Sequence, residues 1–163
     1  MAHSGEPRLI RAEACERAVD PTALKAANPR VRIVGCWPAN APAMYESLRA
    51  GRIFDVHESP TLSDGTAGNV EPGAITFELC RTLIDEHVLV SEAEIARAMR
   101  DVLLGDHQVI EGAGGVAVAA ARKLAHERPE HAGLTGAVVL CGGNVSAETL
   151  GRILETPASS HVT

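Results

Sequence analysis

The chain has 163 residues and a formal net charge of −6. That is long enough for one domain with a buried core, and its lysines and arginines are scattered rather than striped, which argues against a nucleic-acid surface. Its apolar runs are far too short to span a membrane. Aromatic side chains are confined to Trp37, Tyr45, Phe54 and Phe77, so the core has to be built from Val, Ile, Leu and Ala.

The first residues show no apolar signal region, and the four cysteines Cys15, Cys36, Cys80 and Cys141 show no Cys-x-x-Cys spacing. A cytoplasmic chain with free thiols is expected. Residues 1–22 read as charged and irregular, with at most a short helix over 8–19. Pro21 to Ala27 reads as a helix that stops before Asn28-Pro29. Val31 to Gly35 is a β-branched strand, Cys36 to Pro42 a loop, and Ala43 to Ala50 a helix capped by Gly51. A short strand is possible over Phe54 to His57, followed by a long polar loop from Ser59 to Gly73.

Thr76 to Glu86 carries a helical stripe of Phe77, Leu79, Cys80, Leu83 and Ile84, and Val88 to Val90 is a strand. Ser91-Glu92-Ala93-Glu94 has the form of a capping box, opening a helix that runs to Leu104 and buries Ile95, Met99, Val102 and Leu103. An extended piece, Gln108 to Ile110, leads into Glu111-Gly112-Ala113-Gly114-Gly115. An Ala-rich helix from Val116 to His126 follows. Pro129 to Gly136 is a loop, Ala137 to Cys141 a strand and Ser146 to Leu154 the last helix, with residues 156–163 a disordered tail. Strands alternating with helices predict an α/β fold with a mostly parallel sheet.

Three stretches invite chemistry, each with a plainer alternative. Leu140-Cys141-Gly142-Gly143-Asn144 turns from a strand toward a helix, the place where open α/β sheets hold ligands; many such turns merely connect. Glu111 to Gly115 precedes a helix whose exposed amides attract anions, although Glu111, itself an anion, is equally explained by the helix dipole. Asp64-Gly65-Thr66 is either a binding turn or a simple Asx-turn. The histidines, His57, His87 and His107 among them, form no ligand pattern and read as surface residues. Cys141 suits a packing or hydrogen-bonding thiol better than a nucleophile, because no base lies near it in sequence. There are only two lysines, Lys25 and Lys123, among fifteen lysines and arginines.

Five blocks in order resemble the C-terminal half of a serine/threonine dehydratase. This is an ammonia-lyase of the fold-type II pyridoxal-phosphate family, to which serine racemase and the tryptophan synthase β chain also belong. The blocks are Lys25 to Gly35, Leu62-Ser63-Asp64-Gly65 with Pro72-Gly73, Val90 to Ile95, Glu111-Gly112-Ala113-Gly114 and Leu140 to Asn144. The resemblance implies a partial three-layer α/β sandwich over residues 23–155 and pyridoxal phosphate as cofactor. It implies that Cys141 faces the pyridine nitrogen, with Glu111, Gly65 and Asn144 around the ring and an amino acid as substrate. L-serine or L-threonine would go to a 2-oxo acid and ammonia.

The departures from the family are as informative. The Schiff-base lysine lies in the family's N-terminal half and matches neither Lys25 nor Lys123, so no catalytic residue is assigned here. The glycine-rich phosphate loop, expected just before Ala23, reads Glu16-Arg17-Ala18-Val19-Asp20-Pro21-Thr22; it has no glycine and two acids that repel a phosphate. Where some family members hold a divalent cation through acids, this chain has Trp37-Pro38-Ala39-Asn40-Ala41-Pro42-Ala43, so no metal site is expected. The expectation is therefore a truncated or degenerate lyase-like chain, inactive alone. The alternatives are a non-catalytic binding or regulatory module, one piece of a split enzyme completed by an N-terminal half, and a product of a shifted reading frame or false start. Open sheet edges predict self-association or a partly ordered state.

Overall fold

The computed structural model of the chain describes residues 8–12, 21–131, 133–140 and 142–155. Cys15, Cys141 and the expected tail over 156–163 lie outside the described residues. Four strands form one sheet: β1 (Arg8–Ala12), β2 (Arg32–Pro38), β3 (Glu86–Val90) and β4 (Gly136–Val138). Their order is β3-β2-β1-β4, and every neighbouring pair is parallel. Parallel neighbours need crossovers, and the helices provide them. Helix α1 (Pro21–Ala27) joins β1 to β2, and α2 (Ala43–Ala50) and α3 (Ile75–Leu83) join β2 to β3. Helices α4 (Glu92–Gly105) and α5 (Gly112–Glu127) lead from β3 to β4, and α6 (Ala147–Leu154) follows β4.

The sheet is the middle of three layers because β2 is apolar on both faces, as a central parallel strand must be. Its Val34 and Cys36 join Val88, Val90 and the inner sides of α4, α5 and α6 in one core. On the other face Ile33 meets Leu24 of α1, Ile84 and Val139. Farther along that face Trp37 meets Met44 of α2 and Phe77 of α3. Small residues let α4 and α5 approach closely. A Cβ at Gly115 would lie 2.7 Å from Met99 Cγ and 3.0 Å from Ile95 Cγ2. The capping box at the start of α4 forms: Ser91 Oγ accepts from the Glu94 amide (3.3 Å), while Glu94 accepts from the Ser91 amide (2.7 Å).

Several local expectations give way to tertiary pairing. Arg8–Ala12 is a strand rather than the start of a helix, because β2 and β4 flank it on both sides and pairing overrides weak local propensity. Strand β2 runs on through Pro38, which pairs with Val90. Pro38, which has no N–H to give, is the last residue of β2, and the next amide, that of Ala39, donates to the Val90 carbonyl (2.7 Å). Phe54 to His57 is irregular; the Asn69 side chain takes the place of a partner strand, accepting from the Val56 amide (2.7 Å) and donating to its carbonyl (3.1 Å). Helix α3 ends at Leu83, and its expected apolar stripe is broken: Phe77 is buried, but Leu79 is 45 % exposed. Helix α5 begins at Gly112, four residues before the expected start, with its glycines inside the first turn.

One ion pair ties the amino end of the sheet to α1. The Asp85 carboxylate accepts from Lys25 Nζ (2.8 and 3.0 Å) and from the Ile33 amide (2.7 Å). Burial alone raises this carboxyl's pKa, but the Ile33 amide and then Lys25 outweigh it, and the group sits below its ordinary value. A depressed folded-state pKa contributes stability that is present above the unfolded carboxyl's pKa and is lost as pH falls through the folded one. Asp85→Asn is therefore expected to lower stability at neutral pH. It should flatten the acid limb below about pH 4, the unfolded value, in a chemical-denaturation series against pH. An unchanged acid limb would show that Asp85 contributes nothing.

Candidate functional site

The strand order defines one switch point. From β1 the chain adds β2 and β3 on one side, then returns to the other side of β1 for β4. Ligands of open α/β sheets sit in the crevice beyond the carboxyl ends of the strands at such a reversal. Here β4 leads out of the sheet through Val139 and Leu140 to Gly142, Gly143 and Asn144.

Two of the three sequence motifs meet there, and the third adjoins them, all through the first turn of α5. The Glu111 amide donates to the Gly142 carbonyl (3.2 Å), and a Cβ on Gly142 would fall on the Glu111 carboxylate. The turn is stabilised by the left-handed backbone of Gly142 (φ 77°). Beside it, a Cβ on Gly143 would lie 3.0 Å from the Val109 carbonyl oxygen. On the other side of the helix start, Gly112 packs its Cα against the Leu62 carbonyl and Ser63 backbone with no room for a side chain. Gly112 therefore serves packing first, letting the Leu62–Ser63 loop reach the helix N-terminus, while a Cβ on Gly114 would crowd the Ile110 side chain (3.2 Å). Gly142→Ala is expected to lose more stability than Gly51→Ala. Both positions have a left-handed backbone (φ 77° and 68°), costing about 1–2 kcal/mol, but a Cβ at Gly51 meets nothing within 4 Å. Equal losses in urea denaturation would mean that the Glu111 contact carries no energy.

The Asp64–Thr66 segment is a single 3₁₀ turn. Asp64 Oδ1 accepts from the Gly65 amide (2.8 Å), the simple local bond expected of an Asp-Gly turn, and Gly65 faces open space. What fixes this turn is Glu92, which the sequence marks only as part of a helix start. Its carboxylate accepts from Thr61 Oγ1 and from the Leu62 amide, both at 2.7 Å. Ser63, fully buried, shares a 2.7 Å hydrogen bond with Thr66. A carboxylate at the first position of α4 is favoured by the helix dipole, so α4 holds the loop while α5 receives it. Asn144 is exposed.

Neither lysine belongs to this place. Lys25 is held at the opposite, amino end of the sheet by Asp85 and the Val31 carbonyl (3.4 Å). Lys123 donates to the Leu89 carbonyl (3.0 Å) on β3, and β3 and β4 are opposite edges of the sheet. Three strand spacings separate those edges, about 14 Å. The histidines are scattered, and the described residues contain no cluster of three or more His, Cys, Asp or Glu suited to a metal. His87 is exposed, as expected, with its ring stacked on Trp37 (centroids 5.7 Å apart, planes at 12°), and partial desolvation on that side pushes its pKa down. Cys36 is buried and Cys80 half-buried.

Residues 22–142 match the family model described as pyridoxal-phosphate dependent enzyme. The chain belongs to that family. It is 41% identical over 132 residues to an L-threonine ammonia-lyase of Thermotoga maritima, covering 81% of this chain and 32% of that protein. Among solved structures it resembles threonine deaminase isoform 2 of Solanum lycopersicum (TM-score 0.78, 26% identity, 93% of this chain and 44% of that one). Maize serine racemase shares the fold (TM-score 0.73, 23% identity, 91% and 47%). The chain thus spans about a third of the length of the curated relatives it matches.

Pyridoxal phosphate needs an amine to hold its aldehyde and amides or cations to hold its phosphate. The described site offers backbone from three loops and one carboxylate, Glu111, but no amine. As a complete holder of the cofactor, this set of residues does not fit.

Proposed function

We propose that this chain is the ring-side half of a pyridoxal-phosphate site of the threonine ammonia-lyase type and does not turn over substrate alone. The single observation behind this reading is the convergence of the Leu62–Thr66, Val109–Gly112 and Gly142–Asn144 segments at one helix start, at the sheet's switch point, with both lysines bound elsewhere. In this reading Glu111 lies beside the cofactor ring, and Cys141 faces its nitrogen. The Gly65 and Asn144 backbones approach its edge. A neutral thiol opposite that nitrogen leaves it unprotonated, which favours loss of a β-hydroxyl over transamination.

The lysine and the phosphate cradle would come from a complementing N-terminal half, and L-serine or L-threonine would be the substrate of the assembled pair. Strand β4 fits this, since among the described residues it pairs only with β1 and leaves its other edge open. Mixing this chain with the separately expressed N-terminal half of a related threonine ammonia-lyase tests the reading. Release of 2-oxo acid from L-threonine is expected in the mixture and in neither component. Turnover by this chain alone, or none in a mixture shown to associate, would overturn it.

A further inference from the structure

Asp64-Gly65 is the one place in the chain where an Asp or Asn precedes a glycine. That order matters chemically, because an Asp or Asn side chain can be attacked by the main-chain nitrogen that follows it. A side chain on the next residue shields that nitrogen, and glycine has none. Both residues are exposed, and a Cβ on Gly65 would meet nothing within 4 Å.

The fold holds the reacting groups together. Asp64 Oδ1 accepts from the Gly65 amide at 2.8 Å, so the carboxyl carbon, one bond from Oδ1, stays beside the nitrogen. A near-attack arrangement needs reacting atoms about 3–3.5 Å apart. Closing a ring between them turns the Asp64 main-chain carbonyl away from the Ala67 amide, which donates to it at 3.1 Å. The resistance within the turn is that bond, between two exposed residues. Other Asp and Asn residues are placed differently. The Val56 amide, after Asp55, is engaged by Asn69 (2.7 Å), and the Asp85 carboxylate by Lys25 and the Ile33 amide. The Ala41 amide, after Asn40, donates to the Pro38 carbonyl (3.2 Å), and the Val145 amide, after Asn144, to the Gly143 carbonyl (3.1 Å).

We propose that Asp64-Gly65 is a site of spontaneous isoaspartate formation in the folded chain. The Gly65 nitrogen attacks the Asp64 carboxyl carbon. The amide proton and the carboxyl hydroxyl leave as water, and a five-membered succinimide closes. Water then adds at the main-chain carbonyl and breaks its bond to nitrogen, leaving the chain linked through Cγ. The main chain gains one methylene carbon, and the former Asp64 carbonyl becomes a free carboxylate. The Ala67 amide loses its partner, and the turn next to the Leu62–Ser63 contact with Gly112 is unmade. The test is to age the folded chain at physiological pH and temperature. Isoaspartate is then read with an isoaspartyl methyltransferase and labelled S-adenosylmethionine, and located by peptide mapping. One methyl acceptor per chain is expected to accumulate, in the peptide carrying Asp64, with part of that peptide lighter by one water. Asp64→Glu, whose ring would have six members, should lose the signal, and Gly65→Ala should slow it severalfold. Asp64→Asn should accelerate it, with ammonia leaving in place of water. No acceptor at Asp64 in the folded chain, while a synthetic peptide of residues 62–70 isomerises alongside, would overturn the proposal. So would a signal that survives Asp64→Glu, or one spread equally over Asp55 and Asp106.

Discussion

Gly112→Ala is expected to destabilise the chain by about 2–3 kcal/mol, the usual cost of forcing atoms into a packed contact. Its Cβ would fall on the Leu62 carbonyl and the Ser63 Cα, and backbone cannot rotate aside as a flexible side chain can. The loop must leave the helix start, or the helix must unwind its first turn. For a domain of this size the loss corresponds to a fall in Tm of about 5–10 °C. Gly65→Ala, in the same loop, should change stability by less than about 0.5 kcal/mol, because a Cβ there meets nothing within 4 Å. Urea denaturation of the two variants side by side checks the pair. Equal stability of Gly112→Ala and wild type would mean that Leu62–Ser63 does not rest on α5, and the site would lose one of its three walls.

Ile95→Ala should cost about 2–5 kcal/mol. Ile95 is fully buried between α4, α5 and the sheet, where Gly115 already brings the helices to their closest approach. Ile75→Ala is the matched control: the same atoms are removed from a side chain that is 76 % exposed, and the change should be within about 0.5 kcal/mol. Thermal denaturation distinguishes the two. Similar losses at both positions would mean that the exposed face of α3 is covered in solution, for instance by self-association.

The alternation of strands and helices is legible in the sequence because each element buries one identifiable stripe, and the Ser91 capping box and the Gly51 cap are local chemistry that needs no tertiary knowledge. What the sequence hides is pairing. Arg8–Ala12 becomes a strand because β2 and β4 lie on either side, and nothing within Arg-Leu-Ile-Arg-Ala announces that. Phe54 to His57 fails as a strand because one distant side chain, Asn69, satisfies its backbone. Glu92 gives no sign in sequence of clamping Thr61 and Leu62 thirty residues earlier. The glycines after Glu111 read as preceding the helix rather than opening it, since glycine is a poor helix former unless close packing demands it.

In the proposed assembly this chain supplies the ring-side walls and another supplies the amine. Borohydride reduction in the presence of pyridoxal phosphate, followed by peptide mapping, tests it most directly. With the N-terminal half of a related ammonia-lyase added, a stoichiometric pyridoxyl label is expected on that half's lysine. Neither Lys25 nor Lys123 should carry label beyond the level of free lysine. A stoichiometric label on Lys25 or Lys123 of this chain alone would contradict it.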